Sequence, residues 1–168
     1  IYFSVYIGFE DPVFSTSSNN LVRILIDTDQ DLSTGFYGPG LGADYYIEIS
    51  GMSQAVLIST LYVFNDESST TNWNGFYPLS SVTSHSRGAT LESQVPLFDL
   101  GVSMDSKINI LVQSNDSFGN SDVHHQILDL GNFEVFPKDC TDADCFFHVA
   151  AQISPKKGYQ YLHQVNVE

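Results

Sequence analysis

The chain has 168 residues, a length suited to one domain with a core of its own. With 42% hydrophobic residues, among them 12 Phe and 9 Tyr, it can bury enough apolar surface to fold, which excludes a disordered chain. The 20 acidic against 6 basic residues give a net charge of −14, a balance that repels a phosphate backbone and excludes nucleic acid as an expected partner.

No apolar run reaches the ~20 residues that span a bilayer, and no basic segment precedes the first apolar residues, so no transmembrane segment is expected. A chain rich in Ser, Thr, Asn, Gln and Asp but poor in Lys points to a secreted or cell-surface setting. The opening directly in an apolar strand, without Met, leads us to expect a processed part of a longer product.

Short segments rich in β-branched and aromatic residues follow one another along the chain, and each reads as a strand: "YFSVYIGF", "LVRILID", "DYYIEIS", "AVLISTLYVF", "TLESQVPL", "KINILVQS", "NFEVF", "FFHVAAQI" and "YQYLHQVNV". Turn clusters such as "STSSNN", "DESSTTNWNG", "SNDSFGNSD" and "SPKKG" separate them. No segment makes an amphipathic helix. The expected fold is therefore all-β, a two-sheet antiparallel sandwich of jelly-roll or immunoglobulin-like type, forming one domain over 1–168. The apolar first strand, starting at Ile1, can serve either this sheet or, by strand addition, that of a neighbouring copy.

Two strands can be assigned to faces. In "LVRILID" both alternating sets are largely apolar, which predicts a strand covered on both sides. In "YYIEISG" the alternation places Tyr45, Ile47 and Ile49 on the buried face and Tyr46, Glu48 and Ser50 on the other.

Between these strands lies "IDTDQDLSTGFYGPGLGAD", with Asp27, Asp29 and Asp31 at alternate positions and Asp44 returned by a glycine-rich hairpin. The start imitates an EF-hand loop. Counting on from Asp27, however, Leu32 stands where that loop needs Gly and Gly38 where it needs a bidentate Glu, and the flanks are strands. Hard-cation chemistry survives the rejection. Carboxylates this dense repel one another unless neutralised, protonated or held apart in water, and Ca²⁺ takes oxygens from carboxylates, carbonyls and water alike. The same aspartates can instead cap turns and face solvent. Gly35, Gly38, Gly40 and Gly42 are expected to supply positive φ angles in the loop.

Further along, "NWNGFY" places Trp73, Phe76 and Tyr77 beside Asn72 and Asn74, the composition of a sugar-stacking platform. Half-buried loop aromatics packed over an open sandwich end have the same composition and are the commoner case. Tyr37, Tyr159 and Tyr161 are weaker candidates of the same kind. Asn115 opens an N-x-S sequon in a turn cluster, a glycan acceptor if the source cell glycosylates. His124 and His125 point to opposite faces of a strand and do not suit one metal. Cys140 and Cys145 flank a short loop that a disulfide would stabilise by about 2 kcal/mol or somewhat more. The alternative is a pair of free thiols, since a metal site at the cysteines needs two further ligands that the local sequence does not supply; Asp139, Asp142 and Asp144 beside the pair are candidates for a second cation site. No catalytic motif is present, so the chain is not expected to be an enzyme.

The run "VRILIDTDQDLSTGF", "GLGADYYIEISG", "NWNGFYPL", "TLESQVPLFDLG" and "KINILVQSND" resembles the family-9-like carbohydrate-binding modules and related DOMON-like β-sandwiches, over roughly residues 1–125. The shared elements are a "D-T-D" turn at Asp27 to Asp29, a "T-G" step at Thr34 and Gly35, "G-A-D-Y" at Gly42 to Tyr45, and "L-E-x-x-x-P-L" closing with "L-G" at Leu91 to Gly101. The resemblance implies an extracellular two-sheet sandwich whose Asp-rich turn holds a structural Ca²⁺. Sugar-binding members clamp the ligand between aromatics, often two tryptophans, and this chain has Trp73 alone; haem-binding members use Met and His, and Met52 and Met104 stand near no expected His.

The expected function is a non-catalytic, Ca²⁺-stabilised surface module that binds glycans. The alternative is a surface-layer or filament subunit that joins copies of itself through the N-terminal strand.

Overall fold

The computed structural model describes residues 2–9, 12–14, 20–38, 40–103 and 105–115, together with the backbone course of 121–129 and 145–152. Twelve strands run through these residues: β1 (Tyr2–Phe9), β2 (Asn20–Asp27), β3 (Phe36–Gly38), β4 (Leu41–Ala43), β5 (Tyr45–Met52), β6 (Ala55–Phe64), β7 (Phe76–Ser81), β8 (Thr83–Arg87), β9 (Thr90–Pro96), β10 (Lys107–Asn115), β11 (Ser121–Asp129) and β12 (Cys145–Gln152). They form a four-stranded sheet in the order β12-β1-β9-β8, a six-stranded sheet in the order β11-β10-β2-β5-β6-β7, and the small hairpin β3-β4. Every pairing among the described strands is antiparallel, consistent with an all-β sandwich.

The core between the two large sheets follows from alternation. Phe3, Val5 and Ile7 of β1 and Leu91 and Val95 of β9 meet Val22, Ile24 and Ile26 of β2, Ile47 and Ile49 of β5, and Ile108, Ile110 and Val112 of β10. Phe14 closes one end of this core against Gly51, where a Cβ would lie 2.5 Å from its ring. The expectation for β2 holds: on its other face Leu25 and Asp27 are buried as well. For β5 the expectation is half right. Ile47 and Ile49 are buried, but so is Tyr46, at 5% exposure, because the outer face of the six-stranded sheet carries a second core. There Leu25, Leu41, Ala43, Tyr46 and Leu111 pack with Phe36, Tyr62, Trp73 and Phe76, so the β3-β4 hairpin and the loop before β7 form a cap over part of that face.

Two edge strands escaped the sequence pattern for physical reasons. β7, "FYPLSS", carries Pro78, which a sheet tolerates at its edge, and β7 is the last strand of the six-stranded sheet. β8, "TSHSR", has no apolar residue and ends the four-stranded sheet. Buried Val82 joins them, and a chain of hydroxyls from Ser59 to Ser84 (2.7 Å) and on to Ser93 (3.0 Å) ties the two sheets together beside it. The apolar first strand is interior: β1 pairs with β9 on one side and β12 on the other, so both of its edges are occupied within the chain.

Candidate metal centre

The centre is assembled where β2 leaves the sheet and where β4 turns into β5. Asp27 is the last residue of β2, opposite Asn109 of β10. Its Oδ1 accepts the Gln30 N–H at 2.6 Å, which turns the chain through a positive φ at Gln30, and its Oδ2 accepts the Asn109 Nδ2 at 3.1 Å. Asp29 Oδ1 accepts the Asp31 N–H at 2.8 Å, and the Thr34 hydroxyl lies 3.0 Å from Asp29 Oδ2. Asp44 is brought back beside them by two backbone bonds, its N–H to Ile26 O (3.0 Å) and its carbonyl from the Phe64 N–H (2.7 Å). Asp44 Oδ2 then accepts both the N–H and the hydroxyl of Thr28, at 2.8 and 2.6 Å.

One carboxylate oxygen from each of Asp27, Asp29 and Asp44 can be chosen so that all three lie within 4.8 Å of one another, close enough to hold a metal ion between them. Asp27 is fully buried, Asp44 is half-buried and Asp29 is exposed, so the cluster opens to solvent on one side. Asp31, expected as a fourth ligand, is not in the cluster. Its Oδ1 accepts the N–H and hydroxyl of Ser33 at 2.8 and 2.6 Å, which holds its carboxyl below the ordinary carboxylate range and commits it to the next turn.

The electrostatics of the cluster are one-sided. Among the described residues no ion pair joins Asp27, Asp29 or Asp44 to a cationic side chain, so the three carboxylates face one another. Burial pushes the Asp44 carboxyl above its ordinary value; the two Thr28 hydrogen bonds oppose the shift and the charges of Asp29 and Asp27 add to it. The arrangement therefore favours a proton or a metal ion over bare carboxylates. Two glycines let the loop close this tightly. Gly35, with φ +63°, would place a Cβ 2.6 Å from the carbonyl of Ala43, and a Cβ on Gly42 would lie 2.4 Å from Asp31 O and 2.5 Å from Thr34 O. Gly40 also has positive φ, but Gly38 and Gly42 do not, contrary to expectation: Gly42 is needed for close approach and not for its φ.

The expected aromatic platform is divided by the structure. Trp73 begins a short 3-10 turn that Asn72 caps by accepting the Asn74 N–H at 3.1 Å. The Trp73 ring sits 5.0 Å from Phe36 and from Tyr46 and 5.2 Å from Phe76, with the Arg23 guanidinium 5.0 Å over it. Trp73 and Phe76 thus serve the cap, as loop aromatics packed over the sheet. Tyr77, next along β7, is 51% exposed, and Asn72 and Asn74 are exposed at the rim. Tyr37 is exposed on β3. Asn115 is half-buried at the end of β10, opposite Leu21.

The Cys140–Cys145 pairing, the cluster of Asp139, Asp142 and Asp144, and Tyr159 and Tyr161 lie outside the described residues. His124 and His125 stand in register with Val112 and Leu111, residues that face opposite sides of the sheet. Sequence reasoning missed Asn109 and Thr28, the donors that hold Asp27 and Asp44; neither carries a local signal, since each meets its aspartate through tertiary pairing. The likeness to family-9-like and DOMON-like sandwiches is carried by its four sequence elements alone: compared with protein-family models, with curated proteins and with solved structures, the chain has no significant match.

Proposed function

We propose that the chain is a non-catalytic module of a secreted or cell-surface protein, with an Asp-rich loop that holds one Ca²⁺ and a surface that binds glycans. The observation that carries the reading is the convergence of Asp27, Asp29 and Asp44, joined by no ion pair to a cationic side chain among the described residues. All-oxygen donors on an irregular loop suit Ca²⁺, which accepts 6 to 8 oxygens in flexible geometry; Zn²⁺ favours nitrogen and sulfur, and Mg²⁺ demands a near-ideal octahedron. The loop hydrogen bonds that tie up the same carboxylates favour a structural ion over a catalytic one. The filament alternative draws no support from β1, whose two edges are already paired.

Differential scanning in Ca²⁺ and in excess chelator tests the ion. At a hundredfold excess over Kd a ligand adds about 2.7 kcal/mol, or roughly 5–10 °C at about 2–4 °C per kcal/mol for a domain of this size. Asp29→Ala, at the exposed side of the site, is expected to remove most of that difference. Identical melting with and without chelator sinks the proposal.

A further inference from the structure

Register arranges the outer face of the six-stranded sheet into rows. Leu111, Leu25, Tyr46 and Tyr62 form one row across β10, β2, β5 and β6, and it lies under the aromatic cap. Gln113, Arg23, Glu48 and Thr60 form the next, and the cap stops short of it: all four are partly exposed. Four adjacent strands about 4.8 Å apart make this a floor roughly 14 Å long. The half-exposed Trp73, at the margin of the cap, stands beside it with Arg23 beneath its ring.

The floor is held in place and, among the described residues, much of its hydrogen-bonding capacity is unspent. Arg23 is fixed twice, by its Nε to Glu48 Oε2 at 2.9 Å and by the Trp73 face. Among the described residues the Nη groups of Arg23, Oε1 of Glu48, the Gln113 amide and the Thr60 hydroxyl make no side-chain hydrogen bond. Donors and acceptors therefore alternate along the row while Arg23 and Glu48 cancel in charge, within a chain of net charge −14. An anionic ligand meets the field of the whole chain, and a cation has to take Glu48 from Arg23. An uncharged polyhydroxyl ligand meets neither cost, since each hydroxyl both donates and accepts, and its C–H groups can pack against the partly exposed Trp73 at the side of the floor.

We propose that the Gln113–Arg23–Glu48–Thr60 floor, walled by Trp73, is the binding site for uncharged glycan chains. The inference rests on the binding role proposed above and moves its location from the aromatic loop to the sheet. Calorimetric titration of the Ca²⁺-saturated chain with neutral hexasaccharides of the glucan, mannan, xylan and chitin types, with polygalacturonate as anionic control, tests it. Neutral chains are expected to bind and to quench Trp73 emission. Gln113→Ala and Thr60→Val, which break no internal bond, are each expected to weaken binding about tenfold with unchanged melting; Tyr77→Ala is expected to change neither. Equal affinity in wild type and both variants overturns the site while leaving the binding role intact. Binding of polygalacturonate alone overturns the ligand class, and no binding by the wild type overturns site and binding role together.

Discussion

Asn109 donates from Nδ2 to Oδ2 of Asp27 at 3.1 Å, a bond between residues 82 apart in sequence. It fixes one side of a fully buried carboxylate whose other oxygen is held by the Gln30 N–H at 2.6 Å. Among the described residues the remaining amide oxygen, Asn109 Oδ1, is buried without a hydrogen-bond partner, so the bond to Asp27 is the one that orients the side chain there.

Replacing Asn109 by Leu therefore removes the donor and keeps the bulk. The expected loss in calcium-free protein is about 1–3 kcal/mol, the cost of leaving a buried acceptor without its partner. In saturating Ca²⁺ the loss is expected to shrink, because the ion supplies positive charge to the same carboxylate. Urea unfolding of both forms checks this; an equal loss with and without Ca²⁺ shows that Asn109 serves the strand pairing and not the centre.

Gly42→Ala addresses the closure of the loop. The new methyl would stand 2.4 Å from Asp31 O and 2.5 Å from Thr34 O, backbone atoms that cannot swing away as a side chain would. Overpacking of this kind costs about 1–3 kcal/mol. Because β4 carries Leu41 and Ala43 into the cap, displacement is expected to reach the single tryptophan, Trp73, and shift its emission to the red. Ca²⁺ affinity is expected to fall in parallel, measured by titration. Wild-type emission and affinity in the variant would show that the loop and the cap are not mechanically joined.

How far the sequence reached depends on whether the deciding contact is local. β2 was legible because "LVRILID" places apolar residues on both faces, and Asp27, Asp29 and Asp44 were legible because a turn and a hairpin suffice to bring them together. That Asp31 stands outside the cluster is not legible, because alternate spacing cannot show which carboxylate the next turn takes; Ser33 takes it. Tyr46 falls opposite the buried face by alternation, which reports one such face, and only the cap built from Phe36, Trp73 and Phe76 reveals the second. The polar floor was invisible for the same reason: Arg23, Glu48, Thr60 and Gln113 become neighbours through strand register alone.

Tyr46 is expected to set the alkaline limit of the fold. Its ring stacks on Tyr62 with centroids 4.5 Å apart and planes 1° from parallel, and it meets Phe76 edge-on at 4.6 Å. Burial pushes its phenol above the ordinary value, the charges of Glu48 and Tyr62 push it further, and Arg23 opposes them. A group whose folded pKa is raised contributes stability that is complete below its unfolded value, about 10 for Tyr, and is lost as pH rises through the folded value. Melting temperature is therefore expected to fall above about pH 10, as ionisation becomes cheaper in the unfolded chain than in the cap. Tyr46→Phe keeps the ring and removes the proton, so it should move that fall to higher pH with little change at neutrality. Thermal melts between pH 8 and 12, with tyrosinate absorbance recorded alongside, check it. An identical alkaline profile in the variant would assign the limit to another tyrosine, with Tyr45, whose phenol burial also raises, as the next to substitute.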